Sequence, residues 1–282
     1  MNTYGAVLVG RNDDYGENLI ERTSYCLNAL VHQMDEVIFV DWSTENEKLT
    51  LPEEIGDKLI KKNNFYYIKV TPEQAYKWTK HDPNAQLVCE VMARNIGLRR
   101  LSTDYLISTN PDIIPPYRKY LDDYLIDSNK FSTIALRSIS LYDIRPLGIP
   151  QEFYKVMDAL EIKKIGWGQE PNVEVCEGDK FSLVSRPGDF QMAHRNIWYK
   201  IRGFEESLTG RGFADSNVQR KAFIYGFKIE VTRDIPIWHI GHKKGMGGYG
   251  RMNDMRKAIF LEQTENPPTW GHIETGLEMK QL

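Results

Sequence analysis

The chain has 282 residues, with 36 Lys plus Arg against 39 Asp plus Glu, a formal charge of -3, and 41% apolar residues. That length allows one large domain or two small ones at roughly 100–200 residues each, and the composition excludes a disordered or coiled-coil chain. The near-neutral balance offers no general basic field for nucleic acid, so no nucleic-acid partner is expected. Three widely spaced cysteines without a CxxC pair exclude a disulfide framework or a structural zinc site. No apolar run reaches the ~18 residues of a membrane span, and no signal-peptide pattern opens the chain, so a cytoplasmic protein is expected.

In chain order, Ala6-Val7-Leu8-Val9 predicts a buried strand ending at Gly10. Leu19, Ile20, Leu27, Leu30 and Val31 recur at helical spacing and predict a helix from near Tyr15 to Gln33. Val37–Val40 and Phe65–Val70 predict the next strands. Residues 84–101 predict a helix striped with Val88, Met92, Ile96 and Leu98, followed by a strand at Tyr105-Leu106-Ile107. Strands alternating with helices imply a mostly parallel α/β sheet, whose ligands bind beyond the carboxyl ends of the strands. Gly10-Arg11-Asn12-Asp13, Asp41-Trp42-Ser43 and Asn110-Pro111-Asp112 all follow strands.

The second half is less regular. Phe181–Val184 and Phe227–Val231 read as strands and Asp215–Phe223 as a short helix. A glycine-rich loop runs from Lys243 to Gly250, followed by a helix over about 252–263. The stretch from Tyr142 to Glu177, with Trp167, carries no legible pattern. No composition shift marks a second domain.

Among residues able to carry chemistry, an Asp ending a strand is ordinarily a turn or cap residue, but Asp41 could accept from a nucleoside and Asp112 could hold a divalent cation. His239 and His242 form an HxxH after an apolar strand and could complete a shell containing Asp112. Lys243, Lys244 and the glycines that follow suit a loop closing on phosphate. Asp215, opening a helix, is either its N-cap or a general base for a substrate hydroxyl.

As a set these residues resemble a GT-A fold glycosyltransferase, the nucleotide-sugar-dependent class. Val7-Leu8-Val9-Gly10-Arg11-Asn12 and Val40-Asp41-Trp42-Ser43-Thr44 resemble the start of the large inverting family. Ala93-Arg94-Asn95-Ile96-Gly97 resembles its ARNxG helix, and Thr109-Asn110-Pro111-Asp112-Ile113 a TNxDI form of its DxD strand. Gly188-Asp189-Phe190 with Arg195, Arg202-Gly203-Phe204-Glu205-Glu206, and Trp238-His239-Ile240-Gly241-His242 are similar to its GDF, GGFDE and YHIxH segments.

The resemblance implies a Rossmann-like, mostly parallel mixed sheet flanked by helices in a single domain over about 1–250. Residues 1–115 would be the nucleotide half and 116–250 the acceptor half, with 251–282 a helical tail packed on the same domain. It implies Gly10, Arg11, Asn12, Asp41, Arg94, Asn110 and Lys243 at the nucleotide, and Asp189, Phe190 and Asp215 at the sugar or acceptor. Asp215 would be the base, and Asp112, His239 and His242 would bind Mn²⁺ or Mg²⁺. The partners would be a nucleotide-sugar donor, with a UDP-sugar the commonest choice, and a glycan or other hydroxyl acceptor. Asn110 in place of the first DxD acid, and a lone Asp215, leave open a catalytically silent nucleotide- or glycan-binding module.

Overall fold

In a computed structural model of the chain, the described residues are 2–59, 63–80, 88–134, 137–141, 175–176, 188–209, 214–232, 235, 237–243 and 265–282. The expected strand at Phe181–Val184, the glycine loop after Lys243, the helix over 252–263 and Trp167 lie outside them.

The first strand, β1 (Tyr4–Gly10), is buried along its whole length. Ala6 and Leu8 enter one apolar cluster, while Val7 and Val9 enter the other. This two-sided burial is what a near-continuous apolar run specifies in a parallel sheet. β1 pairs in parallel with β2 (Glu36–Trp42) on one side and β4 (Tyr105–Thr109) on the other. β2 pairs in parallel with β3 (Phe65–Val70). The strand order therefore runs outward in both directions from β1, which makes the carboxyl ends of β1 and β4 the switch point where a crevice opens.

Beyond β4 lies β9 (Phe190–His194), antiparallel to both β4 and β6 (Lys130–Ile134). β10 (Lys228–Thr232) and β8 (Val175–Cys176) complete that side and β12 (Met279–Gln281) the other, so that among the described residues the order is nine-stranded, β12-β3-β2-β1-β4-β9-β6-β10-β8. A second, three-stranded sheet joins β5 (Ile113–Ile114), β11 (Ile237–Ile240) and β7 (Arg137–Leu141) in the order β5-β11-β7. No described helix is long and apolar enough to cross a membrane.

α1 (Leu19–Gln33) starts later than the spacing predicts. Asp14, Gly16, Glu17 and Asn18 have φ of 54°, 72°, 65° and 54°. Left-handed backbone cannot continue a right-handed helix, so residues 15–18 form a turn. α2 (Leu51–Ile55) and α3 (Pro72–Trp78) open on capping boxes, Thr50 with Glu53 and Thr71 with Gln74. α4 (Glu90–Leu98) is shorter than the predicted 84–101. Residues 81–87 lie outside the described set, and Val88 and Cys89 precede the first turn. After a short helical turn over Arg118–Leu125, the described residues include α5 (Arg195–Ile201) and α6 (Ala214–Ile224).

The tail departs from the helical expectation in its described part. Residues 270–275 form a 3₁₀ segment, and β12 (Met279–Gln281) adds an antiparallel edge strand to β3. Gly271 and His272 adopt φ of 69° and 48°, which breaks any regular helix here. Their carbonyls accept from Arg100, and the Gly271 amide donates to Glu206. That clasps the tail to α4.

Two predictions follow from this packing. A methyl added at Gly97 would sit 2.1 Å from Val7 Cγ2 in the core. Gly97→Ala gains about 1 kcal/mol of helix propensity but overpacks a β-branched neighbour at the upper end of the usual ~1–3 kcal/mol. A net loss of roughly 2 kcal/mol is expected in urea unfolding, and an unchanged midpoint would show that α4 can retreat from β1 at no cost.

His272 stacks on Trp78 at 4.0 Å, and burial pushes its imidazole down from 6.5 to about 4. Between those values the unfolded chain holds the extra proton, so stability from this group is intact above pH 6.5 and is lost as pH falls toward 4. His272→Phe keeps the stack and removes the titration. Its melting temperature relative to wild type should rise as pH drops from 7 to 4.5, and a constant difference would contradict the burial argument.

Candidate active site at the carboxyl ends of the central strands

β4 ends at Thr109, and the chain bends through Asn110-Pro111-Asp112 into β5. The bend is held from the second sheet. Ile240 N donates to Asp112 O at 2.9 Å, and the β5–β11 register sets His239 opposite Ile113. The Asp112 carboxylate is consequently flanked by His239 Nε2 at 3.5 Å and His242 Nε2 at 3.1 Å. The three ligand atoms lie within 4.8 Å of one another. Asp112 is buried, and despite that burial, hydrogen bonds from the two imidazoles hold its carboxyl well below the usual carboxylate range.

One carboxylate oxygen and two imidazole nitrogens suit a first-row divalent ion. The separations of 3.1 and 3.5 Å approach the roughly 3 Å that neighbouring ligands keep around an octahedral ion with ~2.1 Å bonds. The His242 ring supports the same fit. Its Nδ1 lies 2.9 Å from Lys243 O, so a neutral ring donates there and turns its Nε2 lone pair toward Asp112. Two bare acceptors do not rest at 3.1 Å unless a cation or a proton lies between them, and Asp112 accordingly pushes His242 above its ordinary value. A backbone carbonyl on the far nitrogen is the usual way a ligating histidine is oriented.

A second cluster begins two residues earlier, at Asn110 on the same bend. Arg94, buried in α4, donates to Ser108 Oγ at 2.6 Å, to Thr109 O at 3.2 Å and to the Asn110 side chain. Asn110 Nδ2 donates to Asp189 Oδ1 at 2.9 Å, and Thr109 Oγ1 to Asp189 O at 2.7 Å. Asp215 lies against this group. A Cβ on Gly188 would come within 2.6 Å of its own Cβ, and Gln191 Nε2 donates to its carbonyl. Burial pushes the Asp215 carboxyl up to about 6, with the negative charges of Glu90 and Asp189 adding to the rise. The Asp215 and Ser216 amides pull the other way.

A third group sits at the ends of β1 and β2. Asn12 N donates to Thr44 Oγ1 at 2.9 Å, Asn12 Nδ2 to Leu49 O at 3.0 Å, and Arg11 pairs with Glu45 at 3.6 Å. Gly10 packs edge-on to Phe39, where a Cβ would meet the ring at 2.8 Å. Asp41 is fully buried and accepts from the Leu51 amide at 2.8 Å at the start of α2. Burial pushes its carboxyl up to about 6. Behind the Thr50 cap it receives the first amide of α2, and it has no exposed surface. Phe190 likewise turns its side chain into the core, fully buried, so at this position only the backbone borders the site. Lys243 is exposed and bridges to Glu17 at 2.6 Å.

Sequence reasoning missed Arg22 and Glu90. Arg22 lies on α1, buried, with its guanidinium 3.7 Å from Asp112. Only its position in a stripe of buried residues set it apart, and a long cationic side chain at such a position ordinarily reaches solvent. Glu90 was missed for the opposite reason, since an acidic residue in a first helical turn has an ordinary explanation.

No protein-family model matches the sequence, and no curated protein sequence matches it. Solved structures are similar in fold. S. aureus TarS 1–349 in complex with UDP-GlcNAc aligns with TM-score 0.53 at 12% identity, covering 95% of this chain and 69% of that one. The mannosyltransferase PcManGT from Pyrobaculum calidifontis, in complex with GDP-Man and Mn²⁺, aligns with TM-score 0.50 at 17% identity, covering 97% and 69%. GalNAc-T7 with UDP, GalNAc and Mn²⁺ aligns with TM-score 0.49 at 12% identity; 90% of this chain is covered, and it spans about half, 46%, of that protein. The mostly parallel sheet with its antiparallel β9 and the small second sheet is the GT-A fold.

Proposed function

We propose that this protein is a metal-dependent glycosyltransferase, which moves a sugar from a nucleoside-diphosphate sugar to an acceptor hydroxyl by a single inverting displacement. The observation that carries the reading is the Asp112–His239–His242 triad at the switch point of the sheet, beside a carboxylate raised toward neutrality. The bound nucleotide sugars and Mn²⁺ of the fold relatives agree with this chemistry.

Asp112, His239 and His242 would hold Mn²⁺ or Mg²⁺, which when bound supplies positive charge against the diphosphate leaving group. Asp112 stays ionised at any working pH because both imidazoles favour its charged form. Arg94 holds Asn110 by its side chain, and Asp189 holds the amide from the other side. Asn110 is thereby fixed with little rotational freedom at the mouth of the crevice, where an amide can hydrogen-bond a ribose. Arg11, Asn12 and the β1–β2 ends would line the nucleoside. Lys243, exposed and bridged to the exposed carboxylate of Glu17, can swing to phosphate at small cost.

Asp215 takes the proton from the acceptor hydroxyl. A carboxyl near 6 is a stronger base than an ordinary Asp and is still mostly ionised at pH 7. Gly188 leaves its approach open, since any side chain there would press on the carboxylate.

Two measurements test the reading. Thermal unfolding with UDP, GDP and their sugars should show a shift of several degrees with one base, because a ligand at about 100 times its Kd adds roughly 2.7 kcal/mol. The shift should require Mn²⁺ or Mg²⁺ and disappear in Asp112→Ala and His239→Ala. The absence of any nucleotide shift would favour a glycan-binding module instead.

Asp215→Asn should bind donor normally yet transfer about 10²–10⁴-fold more slowly. In the wild type the rate should fall as pH drops through about 6, where Asp215 takes up its proton. A near-wild-type rate in Asp215→Asn would assign the base elsewhere.

A further inference from the structure

The desolvated guanidinium of Arg22 is only 4% exposed and is tolerable where its donors and charge are met. Nε donates to Glu17 O at 3.1 Å, a terminal nitrogen donates to Tyr15 O, and the other terminal nitrogen faces Asp112 at 3.7 Å. One side chain thus joins the turn after β1 to the acid of the triad.

That turn needs holding. Asp14, Glu17 and Asn18 are non-glycine residues in the left-handed region. Left-handed backbone is unfavourable for a residue with a Cβ, so the run persists only where the surroundings over-determine it. Asp14 Oδ1 accepts from Leu19 N, Lys243 N donates to Gly16 O, and Arg22 fixes the two carbonyls between. The turn in return forms the surface behind His242. The Tyr15 ring lies 5.4 Å from the imidazole, and a Cβ on Gly16 would come within 2.5 Å of Nδ1.

His239 and His242 differ in what aims them. His239 sits on β11, whose ladder sets its direction. His242 follows the end of that strand, so its ring is directed by Lys243 O and by the 15–17 turn.

We infer that Arg22 is a positioning residue for the metal site: by gripping the Tyr15 and Glu17 carbonyls it builds the surface that points His242 Nε2 at Asp112. The inference rests on the triad being a divalent-cation site. Lysine cannot substitute, because a single ammonium lacks the planar fork that reaches two carbonyls and a carboxylate together.

The test uses the full chain with Mn²⁺ alone. Mn²⁺ affinity is read by electron paramagnetic resonance, and the number of imidazole nitrogens on the bound ion by spin-echo modulation. Wild type should show two nitrogens. Arg22→Gln and Arg22→Lys should each show one, with affinity lowered about tenfold or more. Arg22→Gln combined with His242→Ala should bind no more weakly than His242→Ala alone, because Arg22 acts through that ring. Two nitrogens at wild-type affinity in either Arg22 variant, or additive losses in the double variant, would overturn the proposal.

If Arg22→Gln does not fold, Gly16→Ala probes the same surface from the other side and should also lose one nitrogen; retention of both would overturn it equally. A wild-type protein that binds no Mn²⁺ would reject the cation site and this inference together. Two nitrogens in wild type and in the Arg22 and Gly16 variants would leave the cation site standing and reject the role of Arg22 alone.

Discussion

The Asp112 backbone is where the two sheets are joined, and the site depends on that junction. Its carbonyl accepts the Ile240 amide, so β11 and its histidine are brought to the end of β4 by a main-chain bond rather than by side-chain affinity. Its carboxylate then meets two imidazoles and a guanidinium within 3.7 Å. Burying an acid is costly unless the charge is matched, and here it is matched by groups from α1, β11 and the segment after β11. Elements distant in sequence are thereby committed to one point.

Across the Asn110-Pro111-Asp112 bend the electrostatics change sign. On the Asp112 side, donors and cations favour a permanent carboxylate. On the Asn110 side, Asp189 and Glu90 surround Asp215 with negative charge, and burial raises it toward neutrality. The two acids are thus driven in opposite directions, Asp112 toward a permanent charge and Asp215 toward neutrality. Arg94 spans the division. It is held by Ser108 and Thr109 on β4 and holds Asn110, so the helix that packs on β1 also sets the geometry at the bend.

The same helix connects the crevice to the far edge of the molecule. Asn95, next to Arg94, bonds the Phe204 amide and carbonyl and the Glu206 carboxylate, and Glu206 accepts from Gly271. The turn at 203–206 and the tail are therefore fastened to the helix that orients the site. Substitutions in the tail should be felt through α4 rather than through any contact with a ligand.

Much of the sheet could be read from local pattern, because burial on both faces demands runs such as Val37–Val40, and β3 occupies the predicted Phe65–Val70. The grouping of Asp112 with His239 and His242 was also legible, since a carboxylate and imidazoles that follow strands can be brought to one end of a sheet. The start of α1 was not, because four left-handed residues leave no mark in apolar spacing. Asp41 shows the converse limit. A strand-end acid has the same appearance whether or not it also receives an amide of the next helix, and only the position of Leu51 shows that Asp41 does. Periodicity and residue chemistry thus determined which strands form and which groups could hold a cation. The tertiary structure decided which charges share a buried volume, and so which carboxyl falls, which rises, and which arginine is drawn inside to meet them.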